Sequence, residues 1–147
     1  MLFRSGFHRT GARTPMQWDK DQQNLGFSTA EKRKLYLDVD RSKDAPCVKQ
    51  QMQDPTSLWN LVRKLNQIRA SHADLQSDAH LRLLRCSVDG VLCYQRGESI
   101  GVAFNPTDEE RKLTLEIGEK LLEIGSATPD GKNTVLAPQT AIIFKLK

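Results

Sequence analysis

The chain has 147 residues, a formal net charge of +4 and 38% hydrophobic residues, which is typical of one ordinary soluble domain or a small domain with attached elements. Its mixed charges lack the basic stripe with interleaved aromatic side chains of a nucleic-acid-binding protein, and no apolar run approaches the length of a membrane span. The N-terminus carries no apolar stretch long enough for a signal peptide, so we expect a cytoplasmic protein.

Residues 1 to about 53 show no sustained periodicity. Glycine and proline interrupt this stretch repeatedly, at Gly6, Gly11, Pro15, Gly26 and Pro46. A structureless segment of this length is unusual inside a compact domain and is often a functional loop or a part of something larger. This stretch is the first indication that the chain is a portion of a longer fold.

Residues 54 to about 73 are predicted to form a helix. Asp54 can accept hydrogen bonds from free N–H groups of the first turn, and Pro55 suits the first helical position because its missing N–H costs nothing there. Apolar residues then recur at helical spacing and form one stripe: Leu58, Leu61, Val62, Leu65 and Ile68.

Residues 80–147 are predicted to form about seven short strands with turns between them. Asp89-Gly90 is a strong signal for a two-residue hairpin turn. The predicted strands are 81–87, 91–96, 99–104, 112–117, 121–124, 134–136 and 140–146. Regular spacing of short strands favours an antiparallel β-sandwich.

The cysteines and histidines predict neither a disulfide framework nor a metal site. Cys47, Cys86 and Cys93 form no Cys-x-x-Cys pair, and a hairpin at Asp89-Gly90 would place the last two opposite each other. In a reducing cytoplasm these two are expected to be buried thiols rather than a bond. The histidines lack metal-ligand spacing, and we expect no metal and no cofactor: His8, His72 and His80.

The most informative segment is RTGARTPMQWD at residues 9–19, followed by NLGF at residues 24–27. It is a glycine- and proline-containing loop with two arginines, a tryptophan and an acid. Arginine and aspartate can hydrogen-bond sugar hydroxyls in fixed geometry, and an aromatic ring can cover a sugar face. Trp18, Trp59 and Tyr94 are the candidates for such a platform, although packing on the helix is the better interpretation of Trp59. Composition alone favours a packed irregular loop.

The run RTPMQWD with N-x-G-F after it resembles the α-glucosidase branch of glycoside hydrolase family 13, which includes oligo-1,6-glucosidases, dextran glucosidases and trehalose synthases. The likeness continues through residues 35–37, 54–58 and 68–69, so it covers roughly residues 9–75. It implies an α+β fragment: the irregular loop and last helix of a (β/α)8 barrel, followed by an antiparallel β-sandwich. The implied domains are residues 1–78, the loop after strand eight with helix eight at about 54–73, and residues 79–147, the C-terminal β-sandwich.

The resemblance also implies site residues. A family arginine near this motif helps to hold the sugar in the innermost subsite, and Arg9 and Arg13 are its candidate matches, with Arg9 slightly preferred. The usual Asp-Asn between the two arginines is Thr10-Gly11 here. The catalytic carboxylates of the family lie on earlier barrel strands, so no catalytic residue is expected among these 147.

The leading interpretation is the C-terminal portion of an α-glucosidase-type hydrolase for α-glucosidic oligosaccharides, inactive alone. A non-enzymatic carbohydrate-binding module and a regulatory fragment that pairs with a full-length relative are the alternatives. A free-standing module would need neither the loop nor a helix with a broad apolar stripe. The expected partners are the missing barrel or a second copy of the chain, bound through the stripe, with no nucleic acid and no membrane.

Overall fold

The computed structural model describes residues 13–86 and 88–147. These residues form two compact units that divide between Arg63 and Lys64. The predicted domain boundary after residue 78 is not decided by this division and stays a prediction.

The described part of the first unit, residues 13–63, is mostly irregular before α2, as the interrupted sequence predicts. This part contains two short 3-10 turns, Gln23–Gly26 and Lys32–Lys34, and one short helix, α1, at Val48–Gln53. The sequence analysis missed α1, because six residues are too few to display helical periodicity.

The second helix, α2, spans Leu58–Ser71, so it begins four residues later than the predicted start at residue 54. Asp54 does not cap this helix; its Oδ1 accepts hydrogen bonds from the backbone N–H and hydroxyl of Thr56 at 2.9 and 2.7 Å. Ser57 supplies the cap instead, because its Oγ accepts a hydrogen bond from the backbone N–H of Asn60 at 3.2 Å. The segment around Pro55 is therefore a turn between two helices rather than the first turn of one.

The apolar stripe of α2 is incompletely covered. No residue of the helix is buried. Leu58 and Val62 are 68% and 46% exposed. The other three members, Leu61, Leu65 and Ile68, are half-buried.

The second unit confirms the prediction that residues 80–147 are rich in strands. Among the described residues of this unit there are eight strands: β1 Leu81–Leu83, β2 Leu92–Arg96, β3 Ile100–Asn105, β4 Arg111–Leu113, β5 Ile117–Ile124, β6 Ala127–Asp130, β7 Asn133–Leu136 and β8 Thr140–Leu146. They form a five-stranded sheet in the order β1-β2-β3-β8-β5 and a three-stranded sheet in the order β4-β7-β6. Every strand pair is antiparallel.

Two strand predictions need correction. The predicted strand 112–117 is divided, since β4 ends at Leu113 in the three-stranded sheet and β5 begins at Ile117 in the five-stranded sheet. The hydroxyl of Thr134 bonds the carbonyl of Leu115 at 2.6 Å where the chain changes sheets. Strand β6 is absent from the predicted strands. It contains Pro129, and a proline is tolerated there because β6 lies at the sheet edge.

Both sheets contribute to one hydrophobic core. Its buried members are Cys86, Cys93, Ala103, Leu113, Ile117, Ala127, Leu136, Ile142 and Phe144. They follow the strand alternation that the sequence displays, since buried and more exposed positions alternate along β8. Side chains from both sheets therefore pack together in this core.

The structure joins Cys86 to Cys93 as a disulfide, with their Cα atoms 6.5 Å apart. Both residues are buried, as predicted, but the expectation of two free thiols is wrong in this structure. The predicted two-residue hairpin is also wrong: β1 ends at Leu83 and β2 begins at Leu92, so a longer connection separates them. Gly90 takes a positive φ of 79° within it.

Candidate functional site

The predicted site arginines fall at and beyond the edge of the described chain. Arg9 lies outside the described residues, together with Thr10 and Gly11. Arg13 is exposed at the start of the motif segment. Their predicted contacts with sugar therefore stay predictions.

The motif segment is held by the first turn of α1. The backbone N–H groups of Val48 and Lys49 donate hydrogen bonds to the carbonyls of Gln17 and Trp18 at 2.9 and 3.0 Å. N–H groups in a first helical turn have no partner within the helix, so α1 offers them to the segment. The buried side chain of Gln17 fixes the segment to a second part of the chain, because its Nε2 donates a hydrogen bond to the carbonyl of Asp40 at 2.7 Å.

The second part of the motif, NLGF, lies against the first. The carbonyl of Leu25 accepts hydrogen bonds from the backbone N–H groups of Trp18 and Asp19 at 2.9 and 3.2 Å. Asn24, Leu25 and Gly26 all take left-handed backbone conformations, with φ of 49°, 59° and 77°. This tight turn requires a glycine at position 26 for two reasons. Side chains rarely adopt the positive φ of Gly26, and a Cβ added there would lie only 3.1 Å from the Cβ of Trp18.

Asn24 also fastens the turn from its other side. Its Nδ2 donates hydrogen bonds to the carbonyls of Ser28 and Ala30 at 2.9 and 2.7 Å. A short amide side chain tolerates the left-handed region and bonds locally to the backbone, so asparagine suits this position. The two halves of the motif are thus one folded loop, although four residues separate them in the sequence.

Two ion pairs join the motif loop to α1. The Nζ of Lys49 lies 2.9 Å from Oδ2 of Asp19 and 3.1 Å from Oδ2 of Asp21. The hydrogen bond from Lys49 is the main cause that lowers the pKa of Asp19 below its ordinary value, and the backbone N–H of Asp21 adds to the effect. In return, the hydrogen bond to Asp19 raises the pKa of Lys49.

This electrostatic arrangement argues for a loop-fixing role of Asp19. A general acid that works near neutral pH needs a raised pKa, whereas the pKa of Asp19 is lowered. The sequence analysis missed Lys49 as the partner of Asp19, since Lys49 lies 30 residues further along the chain. No local pattern marks a lysine as the partner of an acid at that distance.

The three aromatic candidates differ in their exposure and in their contacts. Trp18 is 50% exposed to solvent. The guanidinium of Arg63 lies over the ring of Trp59 at 5.6 Å from the centroid, and this contact partly covers Trp59. Tyr94 belongs to β2 in the second unit and is half-buried.

An open cleft of about 310 Å³ lies beside α1. Lys20, Lys43, Asp44 and Asp54 are among the residues that line it. Small-molecule pockets are mostly apolar with a few placed polar groups, and this cleft instead mixes charges of both signs. Its lining therefore selects no ligand class.

Within residues 13–86 and 88–147, no group of three or more His, Cys, Asp or Glu side chains is arranged to hold a metal ion. No helix in this part of the chain has the length and apolar character needed to cross a membrane. The cytoplasmic location stays a prediction.

The chain is similar in sequence to a known protein family and to characterised sugar enzymes. The family described as the α-amylase catalytic domain matches residues 3–78. The glucan 1,6-α-glucosidase of Streptococcus pneumoniae serotype 4 is 34% identical over 143 residues, which are 94% of this chain and 26% of that protein. The oligo-1,6-glucosidase of Bacillus cereus is 30% identical over 149 residues, with 95% of this chain and 26% of that protein covered.

A solved structure is similar over the same extent. The trehalulose synthase of Pseudomonas mesoacidophila MX-45 has a TM-score of 0.74 and 33% identity, covering 93% of this chain and 26% of that chain. The chain thus spans about a quarter of the length of each of these relatives.

Proposed function

Because the chain belongs to the α-amylase family, glycoside hydrolase family 13, we propose that it is part of an α-glucosidase-type enzyme acting on α-glucosidic oligosaccharides. The observation that carries this proposal is the similarity to two 1,6-α-glucosidases over 94% and 95% of the chain. Both the motif loop and the strand-rich part are included in those matches. The similar solved structure is a trehalulose synthase, another enzyme named for a sugar product.

Within such an enzyme, residues 1–78 would supply the end of the catalytic barrel, namely the loop after strand eight and helix eight. Helix α2, Leu58–Ser71, would be helix eight. Residues 79–147 would be the C-terminal β-sandwich domain. The two sheets that contribute to one core support the second assignment, and the irregular loop just before α2 supports the first.

These residues alone would be catalytically inactive. A retaining glycosidase needs a nucleophilic carboxylate and an acid/base carboxyl group about 5–5.5 Å apart. In the motif loop, Asp19 and Asp21 share the ammonium group of Lys49, and the pKa of Asp19 is lowered. Carboxylates engaged in this way serve loop structure. We propose that the catalytic pair lies on barrel strands that these residues do not include.

Arg9 and Arg13 are proposed to bind the sugar. Arg13 is exposed, and it directly precedes a segment whose backbone is fixed by α1. A rigid support is what a substrate contact needs, since a guanidinium forms charge-assisted hydrogen bonds whose strength depends on geometry. The half-exposed ring of Trp18 would border the same loop.

The stripe of α2 is proposed to contact the rest of the barrel in the complete enzyme. Leu58 and Val62 retain large exposed fractions, and burying a side chain of this kind stabilises by about 1.5–3 kcal/mol. In the isolated chain, the free energy gained by burying these side chains would favour association between copies through the stripe, namely Leu58, Leu61, Val62, Leu65 and Ile68.

Complementation tests the proposed function. The purified chain is assayed with 4-nitrophenyl α-glucoside and isomaltose, alone and mixed with the Streptococcus pneumoniae relative from which the matching final quarter has been removed. We expect no turnover by either part alone and turnover by the mixture. Turnover by this chain alone, in a preparation that a parallel mock purification shows to be free of host glucosidase, would overturn the inactive assignment.

A further inference from the structure

Strand β1, Leu81–Leu83, is an open edge of the five-stranded sheet. Just after it, the backbone N–H of Leu84 donates a hydrogen bond to the carbonyl of Cys93 on β2 at 2.9 Å. Backbone groups of successive residues point to opposite sides of a strand, so those of Leu83 and Leu81 point away from β2. Beyond β2, none of the described residues bonds these groups. The edge therefore offers free donors and acceptors to another strand.

The other sheet edges carry features that discourage the addition of a strand. Strand β5, at the opposite edge of the same sheet, has register shifts and the charged side chains of Glu119 and Lys120. In the three-stranded sheet, β6 contains Pro129 and β4 carries Arg111 and Lys112. By contrast, β1 has no proline, and its pairing with β2 shows no register shift.

The side chains of β1 extend an apolar surface to this edge. Leu81 and Leu83 are 58% and 68% exposed. They lie on the face of the sheet away from the shared core, because Leu83 is opposite Tyr94, which alternates with the core residues of β2. Leu92 and Phe104 are paired on the same face and are also exposed. A strand beside β1 would continue this surface and cover both leucines.

The charges at this edge are positive. Arg82 is exposed and points to the opposite face from the two leucines of β1. Its guanidinium donates a hydrogen bond to Oε1 of Gln95 at 2.6 Å, which leaves most of its N–H groups available. Arg85 follows two residues after β1 and is exposed. None of the ion pairs among the described residues includes Arg82 or Arg85.

We propose that β1 binds an extended, acidic segment of another protein, which pairs with the open edge as an additional strand. The segment carries a carboxylate opposite Arg82 and apolar side chains beside Leu81 and Leu83. Main-chain hydrogen bonds supply affinity in this mode of recognition, and the alternating side chains supply specificity. A second copy of β1 lacks this complementarity, because antiparallel pairing about Arg82 would place two arginines opposite each other.

A peptide binding measurement tests the charge and the pattern. The probe is a short fluorescein-labelled peptide of alternating valine and glutamate, and its binding to the full chain is followed by fluorescence anisotropy. We expect saturable binding that weakens about tenfold or more when lysine replaces glutamate in the peptide. Arg82→Glu should weaken it similarly, whereas Lys64→Glu, at an exposed lysine of α2, should not. No binding of the glutamate peptide, or equal binding of both peptides, would overturn the proposal.

Amide hydrogen exchange measured by NMR locates the added strand. In the free chain, the amides of Leu81 and Leu83 should exchange fast and that of Arg82 slowly. The glutamate peptide should slow the exchange of both leucine amides about tenfold or more, and a backbone N-methylated version should not. Unchanged exchange at saturation would place the peptide elsewhere and refute strand addition.

The same measurement without peptide tests the other occupants of the edge. Slow exchange of Leu81 and Leu83 in the free chain would show that a second copy already covers β1. Slow exchange that appears only in the complemented mixture would assign the edge to the rest of the enzyme. Either result would overturn the assignment to another protein, whereas fast exchange in both samples supports it.

Discussion

Gly101 on β3 lies directly opposite Phe144 on β8, and the ring of Phe144 fills the space where a side chain at position 101 would begin. Phe144 is fully buried and belongs to the core that both sheets share. The glycine is thus required by a close approach between neighbouring strands. Its substitution tests the packing of the second unit directly.

Gly101→Ala should lower the free energy of unfolding by about 1–3 kcal/mol, because the added methyl group forces the Phe144 ring to move. Urea denaturation of the single variants and of Gly101→Ala combined with Phe144→Leu measures the effect. The smaller leucine should relieve the clash, so the double variant should lose less stability than the sum of the two single variants. Strictly additive losses would contradict a steric contact between these residues.

Asn105→Ala should destabilise the second unit by about 2–4 kcal/mol, because it removes several hydrogen bonds at a fully buried side chain. Its Nδ2 donates to the carbonyls of Glu109 and Ala137 at 2.8 and 2.9 Å, and its Oδ1 accepts from the hydroxyl of Thr107 at 2.7 Å. Urea denaturation is the measurement. Asn66→Ala on the exposed surface of α2 is the matched control and should change little; a similar loss in both variants would argue against the network.

The contact between Asp19 and Lys49 should make the motif loop sensitive to acid. The pKa of Asp19 lies below its ordinary value of 3.8 when the chain is folded. Protonation of Asp19 therefore weakens the folded loop. The contact with Lys49 stabilises the loop fully at pH values above the ordinary pKa of Asp19, and this stabilisation is lost as the pH falls through the lowered pKa of the folded chain. The fluorescence of Trp18, measured in a Trp59→Phe background, should report this transition locally.

Asp19→Asn should remove that acid transition of the Trp18 signal. Asp38→Asn, at an exposed position of the same unit, is the control and should leave it in place. A local probe is needed because carboxylates in the second unit, including Asp74 and Glu123, also have lowered pKa values. Retention of the transition in Asp19→Asn would assign it to another group.

Arg13→Ala, and separately Arg9→Ala, should impair turnover in the complemented enzyme by about 10- to 150-fold in kcat/KM. This range corresponds to the loss of one charge-assisted hydrogen bond of about 1.5–3 kcal/mol. Arg41→Ala, at an exposed residue outside the motif, is the control. Unchanged kinetics in both motif variants, with intact complementation, would assign these arginines to loop structure instead.

Leu58→Ser combined with Val62→Ser should reduce self-association of the isolated chain, measured by sedimentation velocity. Both residues are exposed on the stripe of α2, where burial by a second copy would be favourable. Leu83→Ser is the matched control, since Leu83 on β1 is as exposed as Leu58, at 68%. A wild-type chain that stays monomeric at high concentration would remove the basis for this association.

Local patterns predicted the elements whose signals lie within a few residues. The stripe of α2 follows helical spacing, and the alternation along β8 follows the pleat of a strand, so both could be recognised from the sequence. Errors arose where local signals were short or ambiguous. Helix α1 is only six residues long, and residues 112–117 alternate like one strand although the chain changes sheets within them.

The sequence by itself determined the family, because the run RTPMQWD with N-x-G-F is a local and specific pattern, and it determined the strand-rich character of the second part. Only the tertiary structure decided that Lys49 and α1 hold the motif loop, that Cys86 meets Cys93, and that Leu58 and Val62 stay exposed. These features depend on the path of the chain through space. Asp19 and Lys49 are 30 residues apart, and no periodicity links positions that only folding brings together.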